Sequence, residues 1–337
     1  MQRSDFIIRK IFFALTTLAV VIVFNFLLFR ILPGDPIKLI IHSPRMTREA
    51  QEKVRAQFGL DKPVWFDQER LEQGDILGAF DTQFAAYLNQ LRQGNLGVSF
   101  ASRRDVAELL RERVWRTVVL LALGEILAVG IGIALGLLAA WRRGSRLDNS
   151  ILLWGLFTWS MPTFFFGIIL IMLTRGHFPV GGMVTPGLKP EDGWAYWSDV
   201  GRHLVLPTLT MAILYISEYM IVMRSSVVEV LSEDYILTAK AKGLSTFKIM
   251  KDHALKNAML PMVTIIALTL GYTVGGAIQV ETVFSWPGIG RLMFEAVGKR
   301  DYPVLQGTFL LLAASVILAN LLADLLYTVL DPRVKAD

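Results

Sequence analysis

The sequence predicts an all-α polytopic membrane protein with six transmembrane helices and a long extracytoplasmic insertion after the first helix. Hydrophobic residues make up 53% of the 337 residues and charged residues only 19%, below the roughly 25% of an ordinary globular domain. The mean hydropathy of +0.48 is high for a soluble chain. Six apolar runs are each about 18 residues or longer, the length that a helix needs to cross a hydrocarbon core.

The six runs differ little in composition. The second contains Glu125 and the fourth contains Glu218, whereas the other four carry no charge. No cleavage site of small residues follows the first run, so we interpret it as a retained anchor and not as a signal peptide. The runs cover residues 11–29, 117–140, 149–174, 204–223, 258–280 and 302–323.

The distribution of Lys and Arg predicts the orientation. Basic residues are more frequent before the first run, in the second-to-third and fourth-to-fifth connections and in the tail than in the short connections of the opposite face. Because basic loops stay in the cytoplasm, both termini are predicted to be cytoplasmic. Topology therefore explains the net charge of +5 better than nucleic-acid binding does. The absence of cysteine excludes disulfides, thiol chemistry and Cys-ligated zinc.

These assignments divide the chain into four parts. Residues 1–31 form the cytoplasmic N-terminus and first helix, 32–116 the extracytoplasmic insertion, 117–330 a five-helix core with a cytoplasmic connection at 227–257, and 331–337 the cytoplasmic tail. The insertion is too long for a simple connection. It forms either a small cap over the bundle or a docking surface for a soluble partner.

Two helices are predicted in the insertion. Thr47 caps the first, which ends near Gly59. The second begins at Asp105, with Glu108 at the spacing of a capping box. Apolar residues at helical spacing form one stripe that continues into the second span, namely Val106, Leu109, Leu110 and Val114.

The sequence lacks the motifs of an enzyme. Its four histidines are not at metal-ligand spacing, and it contains neither a G-x-S-x-G elbow nor a P-loop. We therefore predict no catalytic residue, no metal site and no cofactor. Glu125 and Glu218 are interpreted as polar residues that pair between helices. The alternative is an ion-coupled secondary carrier, for which six spans without an internal repeat give little support.

The connection at 227–257 is much longer than a tight turn requires. It predicts two helices on the membrane surface, joined at a glycine. Good helix formers follow Ser232, the predicted cap of the first helix, and Gly243 closes that helix with a left-handed turn. Ser245 caps the second helix, which runs to residue 258. The lysines suit an interfacial helix, and the small residues near the glycine allow another surface to approach closely.

This connection, "DYILTAKAKGL…HALKNAMLP", resembles the coupling-helix motif of binding-protein-dependent ABC importer permeases, in the dipeptide, oligopeptide and nickel branch. Further matches are spread along nearly the whole chain. They are "LPGDP", "FGLDKP", "GNLGVSF", "LPTLT", "ETVFSWPGIG", "RDYPVLQG" and "DLLYTVLDPR". Each is weak alone, and their order and topological positions make the set specific.

The resemblance implies a type I ABC importer permease fold and a transport function. Such a permease moves short peptides by alternating access, with nickel and glutathione as alternative substrates in the same branch. It works with a second, similar permease, two cytoplasmic ATPase subunits that supply ATP hydrolysis, and an extracytoplasmic binding protein. The extracytoplasmic insertion and the six spans agree with that fold.

The resemblance also implies which residues meet the ATPase. The general permease motif begins with Glu-Ala-Ala six residues before the glycine, where this chain has Leu237, Thr238 and Ala239. A salt bridge from that Glu cannot be carried over. The implied contact residues are Asp234, Tyr235, Thr238, Ala239, Lys240, Ala241, Gly243 and Leu244.

A translocation path is indicated less directly. Small and polar residues cluster in the fifth span, and Pro162 predicts a kink in the third. Small residues permit close helix packing or leave room for a pore, and both interpretations stay open. The candidates for the path are Pro162, Gly271, Thr273, Gly275, Gly276 and Gln279.

Overall fold

The structure, a computed structural model, describes residues 3–31 and 62–330, with side chains except at 3–4, 30–31, 77, 267–268, 270–276 and 326–330. The predicted helix between Thr47 and Gly59, the "LPGDP" motif and the tail at 331–337 lie outside the described residues. The α-helices are α1 (Arg3–Ile31), α2 (Gln68–Glu72), α3 (Ile76–Ala79), α4 (Gln83–Arg92), α5 (Val106–Trp141), α6 (Arg146–Ser160), α7 (Thr163–Thr174), α8 (Trp194–Val230), α9 (Asp234–Ala241), α10 (Thr246–Ile249), α11 (Lys256–Val283), α12 (Ile289–Lys299) and α13 (Tyr302–Leu330).

Helices cover all six predicted apolar runs. Within the described residues, α1, α5, α8 and α13 are each long and apolar enough to cross a membrane alone. The bent pair α6–α7 makes a fifth span if its two halves cross together. The run at 258–280 lies inside the continuous helix α11. The all-helical membrane fold is therefore confirmed, whereas the count of six spans stays a prediction.

The sequence predicts one kinked helix for the third run, but the structure has two separate helices there. Helices α6 and α7 meet at an angle of 108°. The predicted kink is a complete break, in which Met161 (φ −89°, ψ 140°) and Pro162 (φ −62°, ψ 136°) are both extended, and Pro162 is the N-cap residue of the next helix. Proline disfavours the helical conformation of the residue before it and donates no hydrogen bond. Neither half alone spans a hydrocarbon core, since they measure about 22 and 18 Å at 1.5 Å per residue.

Contact clustering divides the chain into two units. Unit 1 consists of Met1–Leu15, Val114–Arg291 and Ala314–Asp337, and unit 2 of Thr16–Arg113 and Leu292–Ala313. Each has buried apolar side chains of its own, as described below.

In unit 1, helix α8 packs along a row of small residues on α5. A Cβ added at Gly132 would lie 2.6 Å from the Cβ of Tyr219, and one at Gly136 would lie 2.7 Å from the Cβ of Met223. Ala128, one turn before Gly132 in the same row, is fully buried. Small residues four positions apart let two helix backbones approach closely. The row Gly124, Ala128, Gly132, Gly136 and Ala140 therefore sets the separation of α5 and α8.

In unit 2, the predicted start of α5 is confirmed. The Asp105 carboxylate accepts hydrogen bonds from the backbone N–H of Ala107 at 2.8 Å and of Glu108 at 3.3 Å. The predicted apolar stripe follows, with Val106, Leu109 and Leu110 buried. The N-terminal cap and the stripe thus act together to fix the start of the helix.

The "GNLGVSF" and "RDYPVLQG" motifs meet in unit 2. The buried Asp301 carboxylate accepts hydrogen bonds from the Ser99 hydroxyl at 2.5 Å and from the backbone N–H of Phe100 and Ala101 at 2.9 and 3.1 Å. The Ser102 backbone N–H donates to the Ser99 hydroxyl. Asp301 therefore anchors the loop before α5 to the start of α13.

Candidate functional site

The surface segment, residues 234–257, begins with the eight-residue helix α9 and turns at Gly243. Gly243 has φ +76°, the left-handed conformation that the sequence predicts. Its N–H donates to the Lys240 carbonyl at 2.9 Å, and the Leu244 N–H donates to the Ala239 carbonyl at 3.3 Å. This pair of bonds is a Schellman motif, which ends a helix and satisfies its last carbonyls.

The predicted cap at Ser232 is wrong. The Ser232 hydroxyl donates to the carbonyl of Glu229, at the end of the preceding helix. Glu233 occupies the N-cap position of α9 and makes no side-chain capping bond. Ser232 therefore helps to end α8. The predicted cap at Ser245 is confirmed, because its hydroxyl accepts a hydrogen bond from the Lys248 backbone N–H at 3.4 Å.

The inner face of the surface segment is apolar and buried. Ile236 and Ala239 of α9 pack with Ile249 of α10, and Leu231 and Leu244 cover this cluster. Ala239 and Leu244, both predicted to contact an ATPase, thus lie against the protein itself. The cluster joins α9 and α10 across the Gly243 turn into one packed body.

The outer face of α9 is exposed. Leu237 is 68% exposed and Tyr235 is 42% exposed. The remaining predicted contact residues on this face are also exposed, namely Asp234, Thr238, Lys240, Ala241 and Gly243. The position where the general motif has Glu therefore presents an apolar side chain to the outside.

Two further contacts hold the surface segment in place. The Asn257 side-chain N–H donates to the Tyr235 hydroxyl at 2.9 Å, which connects α9 to the beginning of α11. The ring of Phe247 lies 6.4 Å from the ring of Trp141 at the end of α5. Residues 250–255 form a π-helical turn that continues into α11, so the predicted second helix does not end at residue 258.

An ion pair with a buried carboxylate joins α6 to α8, the helix that leads into the surface segment. Asp148 is 1% exposed, and its two carboxylate oxygens accept hydrogen bonds from Arg224 Nε at 2.6 Å and Nη2 at 2.7 Å. The same carboxylate accepts from the Gly144 N–H at 2.9 Å. The pair therefore connects the first turn of α6, and through Gly144 the loop before it, to the last turns of α8.

The two acids within the spans have different surroundings. Glu125 is buried on α5 and accepts a hydrogen bond from the Tyr219 hydroxyl of α8. This contact confirms the predicted pairing between helices for Glu125. Glu218 is half-buried. Within the described residues, no group of three or more His, Cys, Asp or Glu side chains could hold a metal ion.

The candidates for the translocation path are only partly placed. Pro162 is exposed at the break between α6 and α7, and Gln279 is exposed on α11. The side chains at residues 270–276 are not described, a range that contains Gly271, Thr273, Gly275 and Gly276. Their assignment to a path stays a prediction.

Sequence reasoning missed the role of Glu281, which it quoted only as part of "ETVFSWPGIG". Glu281 is fully buried, accepts a hydrogen bond from the Thr117 hydroxyl at 2.6 Å and accepts another from the Arg291 backbone N–H at 3.0 Å. A Cβ at Gly288 would lie 2.1 Å from its carboxylate. Through these bonds Glu281 connects the two ends of this motif to Thr117, at the start of the second predicted span. The sequence signal that could have indicated this role is the position of Glu281, an acid directly after the apolar run at 258–280.

Comparison with known families gives two matches. The family described as "Binding-protein-dependent transport system inner membrane component" matches residues 132–336. The family of the N-terminal part of such membrane components matches residues 3–121. Together the two matches extend over nearly the whole chain.

Curated relatives match over their full length. The chain is 37% identical to the "Dipeptide transport system permease protein DppB" of Escherichia coli (strain K12), over 98% of each chain. It is 34% identical to the "Di/tripeptide transport system permease protein DppB" of Pseudomonas aeruginosa, again over 98% of each. It is 37% identical to the "Glutathione transport system permease protein GsiC" of Escherichia coli O6:H1, over 98% of this chain and 99% of that one.

A solved structure shares the fold. It is described as "Inward facing conformations of the MetNI methionine ABC transporter", and it aligns with a TM-score of 0.53 and 18% sequence identity. The alignment covers 66% of this chain and 96% of that one. The predicted type I ABC importer permease fold is thereby confirmed.

Proposed function

The chain belongs to the family of binding-protein-dependent transport system inner membrane components, and we propose that it carries short peptides across the cytoplasmic membrane as the permease subunit of an ATP-driven importer. It is a transport subunit and not an enzyme, and ATP hydrolysis is supplied by separate subunits. The names of its dipeptide and di/tripeptide relatives support the peptide substrate. The glutathione relative, of equal identity, supports the main alternative. Nickel is the other alternative within the branch.

The observation that carries the coupling role is the packing of α9. Its inner face is fixed in the cluster of Ile236, Ala239 and Ile249, while its outer face is exposed. A short helix transmits a displacement only if it moves together with the helices behind it. The Schellman turn and the shared cluster supply that rigidity. We therefore assign the ATPase contact to the exposed residues, with Ala239 and Leu244 supporting them from the inner side.

The electrostatics of this contact differ from the general motif. Leu237 stands where Glu is usual and is 68% exposed. The contact with the ATPase groove is therefore apolar at this position, with Asp234 and Lys240 on the same short helix. ATP binding closes the ATPase dimer, moves the two docked coupling helices, and rocks the permease pair from inward-open to outward-open.

The assembly has further components. A second, similar permease completes the path, two ATPases bind on the cytoplasmic side, and a binding protein delivers substrate from outside. The family itself is defined by dependence on such a binding protein. The insertion after the first span is on the side where that protein arrives. We propose that the path passes the small and polar residues of α11, including Gln279, which is exposed near the end of that helix. We also assign to the path Pro162, which is exposed at the break between α6 and α7.

Uptake by the reconstituted complex tests the substrate. The full complex in proteoliposomes, with ATP on the ATPase side and binding protein on the other, should accumulate a labelled dipeptide. Unlabelled di- and tripeptides should compete, and glutathione should not. Preferential competition by glutathione or nickel would select those alternatives. Uptake driven by an ion gradient without ATP would favour the secondary carrier.

Replacing Gly243 by Val tests the coupling role. A Cβ at Gly243 meets no atom within 4 Å, so the variant introduces backbone strain without a clash. A left-handed non-glycine residue costs roughly 1–2 kcal/mol. If that strain falls on the docked conformation, apparent affinity for the ATPase should fall roughly 5- to 30-fold. Transport and binding-protein-stimulated ATPase activity should both decrease, with unchanged insertion.

The matched control is Gly74→Val. Gly74 has φ +81° and equally open surroundings, but it belongs to the extracytoplasmic insertion. The same strain there should leave ATPase affinity unchanged. Wild-type transport by Gly243→Val, or equal loss in both variants, would contradict the coupling role of this turn.

A further inference from the structure

Unit 2 contains a cavity of about 100 Å³ between α4, the loop before α5 and the start of α13. Its polar lining includes Gln83, Tyr87 and Gln90 of α4, Asn95 of the loop, and Gln306 of α13. Phe29 of α1 and Tyr302 of α13 form an aromatic wall, with ring centroids 6.4 Å apart. The cavity has therefore a polar side and an aromatic side.

The cavity lies at the ends of two apolar runs, on the side that the charge distribution predicts to be outside. Phe29 is the last residue of the first apolar run, and Tyr302 is the first residue of the last run. The ring of Phe309, two turns into α13, lies 6.0 Å from the ring of Phe29, and Phe309 is 40% exposed. Aromatic and amide groups at this height contact the glycerol and headgroup region of the bilayer.

The lining contains no charged side chain. The two ends of a free peptide carry opposite charges, and burial of either without a counter-charge is costly. A metal ion would need carboxylate or imidazole ligands, and a phosphate would need Lys or Arg. The chemistry of the lining therefore favours an uncharged part of a ligand whose oxygen atoms accept hydrogen bonds from the amides and phenols. Burial raises the pKa of the Tyr87 phenol, against the smaller lowering effect of its hydrogen bonds with Asn25 and Gln306.

One buried polar group beside the cavity is incompletely bonded. Asn25, 4% exposed, lies one turn before Phe29 and donates from its amide nitrogen to the Tyr87 hydroxyl and the Gln306 carbonyl, each at 3.2 Å. Its amide oxygen has no hydrogen-bond partner among the described residues. A buried polar atom of this kind is costly to leave unbonded. Asn25 therefore holds two lining residues, Tyr87 and Gln306, from behind the cavity wall.

We propose that this cavity binds the uncharged glycerol-ester region of a membrane lipid from the outer leaflet. The amides and phenols donate to the ester and glycerol oxygens, and the acyl chains leave along the aromatic wall of α1 and α13. A lipid bound in this way connects the extracytoplasmic helix α4 to the first and last spans. This assignment does not depend on which solute the importer carries.

Photolabelling of the complete importer tests the site. The complex is reconstituted in phosphatidylethanolamine–phosphatidylglycerol vesicles with a trace of phospholipid that carries a diazirine on its acyl chain next to the ester. After illumination, mass spectrometry should find label on α4 and on the first turns of α13. The chain lacks cysteine, so thiol reactions do not complicate the peptide map.

Two neighbouring alanines give a matched pair of variants. Ala86 lines the cavity, whereas Ala85 is exposed on the same helix. Ala86→Phe should fill the cavity and reduce labelling of α4 several-fold, and Ala85→Phe should leave it unchanged. Gln90→Leu keeps the side-chain size, removes a donor and should also reduce labelling, which covers the case in which Ala86→Phe does not fold.

Three labelling results would overturn the proposal. They are the absence of label on α4 and α13, equal labelling of Ala86→Phe and Ala85→Phe, and unchanged labelling of a folded Gln90→Leu variant. Full competition by a sugar detergent at concentrations that leave bulk lipid contacts intact would assign the cavity to polyols in general and likewise contradict a lipid site. Peptide uptake is measured in parallel, so that a failure of the lipid site is distinguished from a failure of transport.

Discussion

At the level of single residues, the Asp148–Arg224 ion pair is expected to contribute strongly to stability, because its carboxylate is buried. Asp148 is 1% exposed, and loss of Arg224 leaves this buried carboxylate with the Gly144 N–H but without its hydrogen-bonded counter-charge. Arg224→Met should therefore destabilise the protein by about 3–5 kcal/mol. Unfolding of the purified permease in detergent, followed by heat or denaturant, measures the change. Transport per ATP should also fall, because the end of α8 loses its connection to the first turn of α6.

The control for this prediction is an exposed ion pair. Lys10 and Asp324 are 2.8 Å apart, and their side chains are 30% and 42% exposed. Lys10→Met should change stability by at most about 1 kcal/mol. In a double-mutant cycle, Asp148→Asn combined with Arg224→Met should cost less than the sum of the two single changes. Additive costs would show that the pair does not act as a unit.

Residue-level prediction worked where the signal is local. Asp105, Gly243 and Ser245 each act through backbone groups within a few residues, and each has its predicted conformation or bond. The prediction for Ser232 was wrong for a local reason too. Its hydroxyl donates to the Glu229 carbonyl of the preceding helix and does not cap an N–H of α9. The Ser99–Asp301 bond joins residues 202 positions apart, and no pattern in either segment predicts its partner.

At the level of elements, the contact of α5 with α8 gives a sharp prediction. Gly132 faces α8, and an added Cβ would meet the Tyr219 Cβ at 2.6 Å and the Ile216 carbonyl at 3.0 Å. Because these atoms belong to a helix that cannot easily shift, Gly132→Ala should cost roughly 1–3 kcal/mol. Thermal unfolding in detergent measures this cost, and close helix packing predicts a lower yield of folded permease.

The same helix provides the control. Gly130 is exposed two residues earlier, with no atom within 4 Å of an added Cβ. Gly130→Ala should be neutral or stabilise the helix by up to about 1 kcal/mol, since Ala has the higher helix propensity. Equal effects of the two substitutions would mean that helix propensity, and not the approach of α8, decides the cost.

Element-level prediction found every apolar run but not the shape of every helix. A hydropathy window measures how apolar 18 or more residues are, and it does not measure where the backbone bends. The run at 149–174 met the length criterion although Pro162 divides it. The row of small residues on α5 follows a small-xxx-small pattern in the sequence. The sequence does not indicate which helix packs against that row. Partners depend on the assembled bundle and not on the segment itself.

At the level of the whole molecule, the work of the importer is divided between two membrane faces. The surface segment that we assign to ATPase coupling belongs to the connection with the most lysines, which the positive-inside rule places in the cytoplasm. The loop anchored by Asp301 and the motif held by Glu281 belong to connections that the same rule predicts on the opposite face. Whether each site meets its partner thus depends on an orientation that the charge distribution predicts.

Single cysteines test this orientation directly, because the chain has none of its own. Phe247, 62% exposed after the Gly243 turn, should face the cytoplasm, and Trp194, 83% exposed at the start of α8, should face outward. In intact spheroplasts that express the permease without its ATPases, a membrane-impermeant maleimide should label Trp194→Cys and not Phe247→Cys. After permeabilisation it should label both. The reverse pattern would place α9 on the outside, where no ATPase could reach it, and would refute the coupling role together with the orientation.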